Sequence, residues 1–196
     1  FGILNSKLRV SNIFISHRNK KISKLLKLKS KKIKVTKDNQ EIINRSDWIF
    51  LAVTPDVGNV ILKKLKFSKN KLIISFISTI NINKLKKITG LKTNIVRAIP
   101  LPPIALCKGP VPIYPSNKKV KNFFDKLGST VEINNEKLSL NFWTTSAMMA
   151  PFYELLLSLS NWLVKKGIKE DSAQKYITSL FFALSEDAFN HKKNLK

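Results

Sequence analysis

The tetrapeptide Ser16-His17-Arg18-Asn19 closes the apolar run that begins at Ile13. Its side chains can read a phosphate and a sugar. An arginine fork pairs with phosphate oxygens, and Ser and Asn add hydrogen bonds. In a dinucleotide-binding fold the second strand ends at such a place, and NAD-selective proteins put Asp or Glu there to bind the ribose 2′-hydroxyl. A polar and basic set predicts a 2′-phosphate instead, so NADP rather than NAD. The plain structural alternative is the first turn of a lysine-rich helix that carries one arginine.

A second candidate is Leu51-Ala52-Val53-Thr54-Pro55, which ends the apolar run Trp48 to Val53. Small residues followed by proline leave room for a flat ring to approach the backbone. The structural alternative is a strand and a turn, with Pro55 near a helix start. A third is Ile95 to Pro115, where an apolar strand ends in Arg97-Ala98-Ile99-Pro100 and Pro102 and Pro103 follow. Proline fixes φ and has no N–H to donate. The segment is therefore stiff and non-helical, at the strand edge where open α/β sheets place ligands.

Other chemistries are poorly supplied. Cys107 is the only cysteine and His17 and His191 are the only histidines. No internal disulfide is possible, which fits a reducing cytoplasm, and no zinc site of ordinary spacing can be assembled. A Cys107–His nucleophilic pair remains open on composition, but neither histidine has the setting of a catalytic base. The net charge is +24, with 36 basic against 12 acidic residues. The basic residues are nearly all Lys, spread along the chain, and only Arg9, Arg18, Arg45 and Arg97 are Arg. Lys is the weaker choice for reading phosphates and bases in fixed geometry. With Asn and Ile also abundant, solvated helix faces under AT-rich codon usage explain the charge better than a specific nucleic-acid surface. No stretch approaches the roughly 18 to 20 apolar residues of a membrane span.

These candidates need elements to hold them. Apolar runs at Ile13–Ser16, Ile33–Val35, Trp48–Val53, Leu72–Phe76 and Asn94–Ala98 alternate with helical patterns, with Ile22, Leu25, Leu26 and Leu28 on the inner face of the first. Asp38 reads as an N-cap and Glu41 as its capping-box partner. Strand and helix in alternation predict a doubly wound α/β sheet. Val111–Tyr114 and Thr130–Ile133 add two strands around a helix at Lys118–Leu127. After Asn134 the pattern becomes helical: Ser139–Met149, Pro151–Lys166 and Ser172–Phe189, with Gly167 ending the second and Asp171 or Ser172 opening the third. Leu155, Leu156, Leu159 and Leu163, and Tyr176, Leu180, Phe181 and Leu184, form apolar stripes. The expected organisation is a Rossmann-type NADP-binding domain over residues 1–133 and a helical domain over 134–196. The first strand and Gly-rich loop of such a domain are not found, since Gly2 is the only glycine before Gly58. Both ends are expected to continue, upstream into that strand and loop and downstream past the third helix.

The motifs, in their order and spacing, resemble pyrroline-5-carboxylate reductases over nearly the whole chain. That family's A-V-K-P resembles Ala52-Val53-Thr54-Pro55, and its R-A-M-P-N-T-P-A resembles Arg97 to Ile104. Its G-P-A-Y resembles Ala150-Pro151-Phe152-Tyr153. The resemblance implies NADP(H) as cofactor and reduction of pyrroline-5-carboxylate to proline. In dehydrogenases built this way the second domain usually dimerises, so a homodimer or larger homo-oligomer through the striped C-terminal helices is expected, in the cytoplasm and without membrane or specific nucleic acid. The resemblance places Asn39 against the adenosine half of the cofactor; the alternative for Asn39 is a helix-start residue. Cofactor-binding residues are then Ser16, His17, Arg18, Asn19, Asn39, Ala52, Val53, Thr54 and Pro55. Thr144, Thr145, Ser146 and Pro151 are expected at the substrate, and no catalytic residue stands out.

The departures concern the substrate. The family's Asn and Thr in the proline loop are Leu101 and Pro102 here, and its Gly/Ser-rich loop is Thr145 to Ala150. Met148 and Met149 stand in that loop, with helix core as their ordinary reading. The family's later S-P-G-G-T-T has no counterpart. Another small imine or carbonyl substrate, or a non-catalytic relative, therefore stays open.

Overall fold

The computed structural model describes residues 1–90 and 93–191, in two compact units, Phe1–Ser139 and Leu140–Lys196. The first unit runs α1 (Gly2–Asn5), β1 (Ile13–Ser16), α2 (Lys20–Lys29), β2 (Ile33–Thr36), α3 (Asn39–Arg45), β3 (Trp48–Leu51) and α4 (Pro55–Ile61). It continues with β4 (Leu72–Ser75), α5 (Ile82–Thr89), β5 (Asn94–Ala98), β6 (Pro110–Tyr114), α6 (Lys118–Phe124) and β7 (Ser129–Glu132).

Short polar side chains start the helices. Asn19, Asp38, Asn81 and Asn117 each accept a backbone N–H of the first turn, at 2.8 to 3.1 Å. The capping box expected of Asp38 and Glu41 is only half present. Glu41 turns instead to the Thr36 hydroxyl at 2.5 Å and to Arg45 at 2.8 Å, and Thr36 Oγ1 accepts the Asp38 N–H. Nearby donors from β2 and from the next helical turn outbid the backbone N–H.

β1 and β2 pair in parallel as a two-stranded sheet. The other five strands form a second sheet in the order β3-β4-β5-β6-β7. All its pairs are parallel except β5 with β6. The chain between these two carries only the 3-10 turn Pro102–Leu106, with no crossover helix to return it to the starting edge. Parallel strands alternating with helices through β5 are the pattern of a doubly wound α/β fold.

The core lies on both faces of the five-stranded sheet. Ile49, Leu51, Ile73 and Ile95 pack with Ile43, Leu62, Ile77, Ile80 and Leu85 on one side. Ile74, Val96, Ala98, Val111 and Ile113 pack with Val120, Phe124 and Leu127 on the other. Neighbours Ile73 and Ile74, or Ile95 and Val96, therefore face opposite layers, as the two-residue strand period requires. Trp48 and Phe50 are only half-buried, because β3 is hydrogen-bonded on one flank; they lean on Phe123, with ring centroids 5.0 and 5.7 Å away.

Helix α2 departs from the expected inner face. Ser23 is buried and Leu26 half-buried, while Ile22, Leu25 and Leu28 are exposed. A two-stranded sheet offers a helix too little surface to cover all four apolar side chains.

The second unit holds α7 (Ser139–Ser146, begun at the last residue of the first unit), α8 (Met149–Lys165) and α9 (Glu170–Asn190). Pro151 lies in the first turn of α8, where its missing N–H costs no helical bond. Gly167 ends α8 with φ +92°, and its N–H and that of Ile168 return to the Val164 and Leu163 carbonyls. This double bond pattern is a Schellman cap. α9 begins at Glu170, before the expected Asp171 or Ser172, with no side-chain cap. Its two first-turn acids, Glu170 and Asp171, answer the positive end of the helix dipole instead. α8 and α9 pack on one another, and Phe152 meets Phe181 edge to face at 5.9 Å.

Candidate functional site

Two of the sites named from sequence, Ser16–Asn19 and Ala52–Pro55, fall at strand ends. Ser16 is the last residue of β1, and His17, Arg18 and Asn19 form the turn into α2. The roles within this turn differ. Asn19 Oδ1 caps α2 through the Ile22 N–H at 3.0 Å, so only its amide NH2 is left for a ligand. Ser16 Oγ accepts from Arg18 N at 3.4 Å, and the turn leaves the Arg18 side chain exposed. His17 Nδ1 is buried and has no hydrogen-bond partner among the described residues. A buried polar atom left without a partner is costly, and a ligand hydroxyl or phosphate there would satisfy it. This orphaned nitrogen beside a free arginine fits the adenosine side of NADP.

Asn39 is the first residue of α3, next to its cap Asp38. α3 packs against β1 and β2, and Arg45 from its last turn lies 4.5 Å over the Phe14 ring of β1. Asn39 is thus held by the same small sheet that carries Ser16 to Asn19.

Ala52 to Pro55 connect the carboxyl end of β3 to α4, with Pro55 as the first helical residue. Ala52 and Thr54 are exposed, and the Thr54 side chain makes no capping bond. The loop therefore offers small side chains and open backbone, as a flat ring needs.

The proline segment is pinned from the chain start. Asn5 Nδ2 donates to Ala105 O at 2.8 Å, and a Cβ on Gly2 would meet Ile104 O at 2.5 Å. Only glycine lets α1 approach so closely. Cys107 sits in the left-handed region at φ 57° with its thiol 3.6 Å from Gly2 O. Its partner is a carbonyl, and among the described residues no hydrogen bond joins it to His17 or His191.

In the second unit, Thr144, Thr145 and Ser146 donate their hydroxyls to the Leu140, Asn141 and Phe142 carbonyls at 2.8 to 3.0 Å. A hydroxyl so engaged can still accept, but must leave its helix to donate to a carboxylate. Met148 and Met149 are exposed rather than helix core, because the chain breaks between α7 and α8 at this point.

Two residues without a role in the sequence reading prove structurally central. Arg97 is buried, and its guanidinium donates to Glu136 Oε1 at 2.6 Å and to Ser78 O at 2.5 Å. The same carboxylate oxygen accepts the Ile82 N–H at 2.8 Å. Glu136 lies 39 residues from Arg97, and no local pattern marks such a pair. The available hint was only that an acid is scarce in this chain.

Among the described residues no group of His, Cys, Asp and Glu could hold a metal ion, and no helix is long and apolar enough to cross a membrane.

A largely parallel α/β core with turns and an open loop at its strand ends has the architecture of dinucleotide-binding folds. Residues 2–79 match the family described as NADP oxidoreductase coenzyme F420-dependent. Pyrroline-5-carboxylate reductase 3 of Danio rerio is 32% identical over 109 residues, which cover 55% of this chain and 37% of that protein. The pyrroline-5-carboxylate reductase of Synechocystis is 27% identical over 157 residues, covering 75% and 58%. The chain thus spans well under two thirds of these relatives. The crystal structure of Plasmodium falciparum pyrroline carboxylate reductase, with NADP bound, superposes with a TM-score of 0.81 at 23% identity, over 100% of this chain and 74% of that one. The chain is therefore similar in sequence to pyrroline-5-carboxylate reductases and shares their fold.

Proposed function

We propose that the chain acts in an NADPH-dependent imine reductase that converts pyrroline-5-carboxylate to proline. The observation that carries this reading is the turn after β1, where the buried, unpartnered His17 Nδ1 stands beside the exposed Arg18. Kinship to reductases of that substrate supports it.

Arg18 and His17 hold the 2′-phosphate and ribose, with Ser16 and the Asn19 amide adding hydrogen bonds, and Asn39 lies against the adenosine. Ala52, Val53, Thr54 and Pro55 form the bed for the nicotinamide ring. Thr144, Thr145, Ser146 and Pro151, in the helical unit, serve the substrate carboxylate and ring. Bound NADPH supplies the hydride; the protein supplies orientation and electrostatics. An imine that arrives protonated needs no protein acid.

A second reading, reduction of another small imine or carbonyl in a more apolar pocket, is favoured by the exposed Met148 and Met149 and by Leu101 in the proline loop. Exposed apolar side chains on α8 and α9, such as Trp162, Leu180, Phe182 and Leu184, support a homo-oligomer formed through these helices. A single, unpaired cysteine suits the cytoplasm.

The test is direct. The purified chain is titrated with NADPH and NADH, then given pyrroline-5-carboxylate, and proline is measured. The expected result is tighter binding of NADPH, lost in Arg18→Ala, with proline formed. A folded chain that binds neither dinucleotide overturns the cofactor reading; one that binds NADPH yet makes no proline overturns the substrate.

A further inference from the structure

We propose that Arg97 and Glu136 are positioning residues: a buried ion-pair clasp that holds the loops after β4 and β5 in register beneath the nicotinamide end of the site. The proposal rests on the reductase reading for its functional consequence, but its structural part stands by itself.

Arg97 is in β5, aligned across the sheet with Ser75 of β4 and Tyr114 of β6, and Ser75 is aligned with Leu51 of β3. It therefore shares a lateral row with the residue that introduces Ala52–Pro55, two strands and roughly 10 Å away. Arg97 is 4% exposed and cannot itself meet a ligand. Instead, its two terminal nitrogens go to two different segments, Ser78 O after β4 and Glu136 after β7. Glu136 in turn receives the first free N–H of α5, at Ile82. One guanidinium and one carboxylate thus tie the end of β5, the β4–α5 loop and the start of α5 together. Charge-assisted bonds of this length are the strong ones, and the planar fork fixes direction as well as distance. Three residues beyond Arg97 the chain enters Pro100, so strand-end geometry set by the clasp passes directly into a stiff loop. Small misplacements of such a frame cost up to about a hundredfold in reactions that depend on alignment.

The test uses the whole chain with Glu136→Gln, which keeps the acceptor oxygen and removes the charge, and Arg97→Lys, which keeps the charge and removes the fork. Hydrogen exchange is followed at residues 76–82 and 99–104, with β6 and β7 as control. NADPH affinity is compared with that of adenosine 2′,5′-bisphosphate, which reaches only the Ser16–Asn19 end. The expected result is faster exchange confined to the two loops in both variants. NADPH affinity falls about tenfold while the bisphosphate is held as before, and Lys does not rescue. Exchange that is unchanged, or faster over the whole unit alike, overturns the clasp, as does equal weakening of both ligands. If the unmodified chain binds neither ligand, the reductase reading falls and the exchange pattern alone decides the clasp. Should Glu136→Gln not fold, Arg97→Met with Glu136→Leu leaves no unpaired buried charge and carries the same readouts.

Discussion

The two units divide the chemistry of the chain unevenly. Phe1–Ser139 carries 29 basic and 7 acidic residues, whereas the remainder carries 7 and 5. The apolar residues divide the other way. The first unit encloses Ile73, Ile74, Val96, Val111 and Ile113 completely, while α8 and α9 leave Phe152, Tyr153, Trp162, Tyr176, Phe182 and Phe189 open. Codon usage acts on a whole gene, so it explains lysine in general but not this partition. On the proposed reading, the first unit attracts an anionic cofactor and keeps charge outside. On that reading the second covers its apolar face with a further surface and cannot keep charge there, because burying it would be costly. In the first unit, ten of the residues from Arg18 to Lys37 are basic and none is acidic. On the proposed cofactor reading, a field of that density would draw phosphates toward the turn after β1.

The comparison can be broken from either side. The largest effect belongs to the closed core: Phe124→Ala, at a side chain 1% exposed, should cost about 3–5 kcal/mol in chemical denaturation. The same change at Phe189, 72% exposed, should cost the isolated chain little, and equal losses at both would mean that the helical unit is closed too. Next, if the helices self-associate as proposed, Leu180→Glu or Phe182→Glu should weaken that association by at least about a hundredfold in sedimentation. A chain that is monomeric before the substitution removes the oligomer from the picture.

Arg18→Ala should cost about 2 kcal/mol in NADPH affinity and nothing for NADH, read by titration calorimetry. The remaining lysines should contribute a salt-dependent part only. Gly167→Ala should destabilise α8 by about 1–2 kcal/mol, although nothing lies within 4 Å of the added methyl, because φ +92° disfavours any side chain.

The smallest effect is electrostatic. Hydrogen bonds from Thr36, and then from Arg45, hold the Glu41 carboxyl below its ordinary value of 4.5. The folded state therefore binds this proton less readily than the unfolded one. Its contribution is complete above that value and is lost as the pH falls through the lowered one. Thr36→Val should flatten the acid limb of the stability curve slightly, seen as melting temperatures that converge with the parent at low pH.

Sequence alone determined most of the elements, because each rests on local chemistry. Apolar runs of strand length, Asn and Asp at helix starts, Pro55 at N1 and Gly167 past a helix end announce themselves within a few residues. The same locality placed Ser16–Asn19 and Ala52–Pro55 at strand ends. What the sequence misjudged depended on neighbours far along the chain. Ile22, Leu25 and Leu28 were expected inside, but burial depends on how much sheet a helix is given to cover. Glu41 looked like a capping partner until Thr36 and Arg45 came within reach. The antiparallel β6 followed from a connection too poor in helix to cross the sheet. Thr144, Thr145 and Ser146 looked free as donors until their helix took up the hydroxyls. Above all, the Arg97–Glu136 clasp is invisible in one dimension. A buried charge is tolerated only where a partner and its hydrogen bonds are brought to it, and only the tertiary fold brings them.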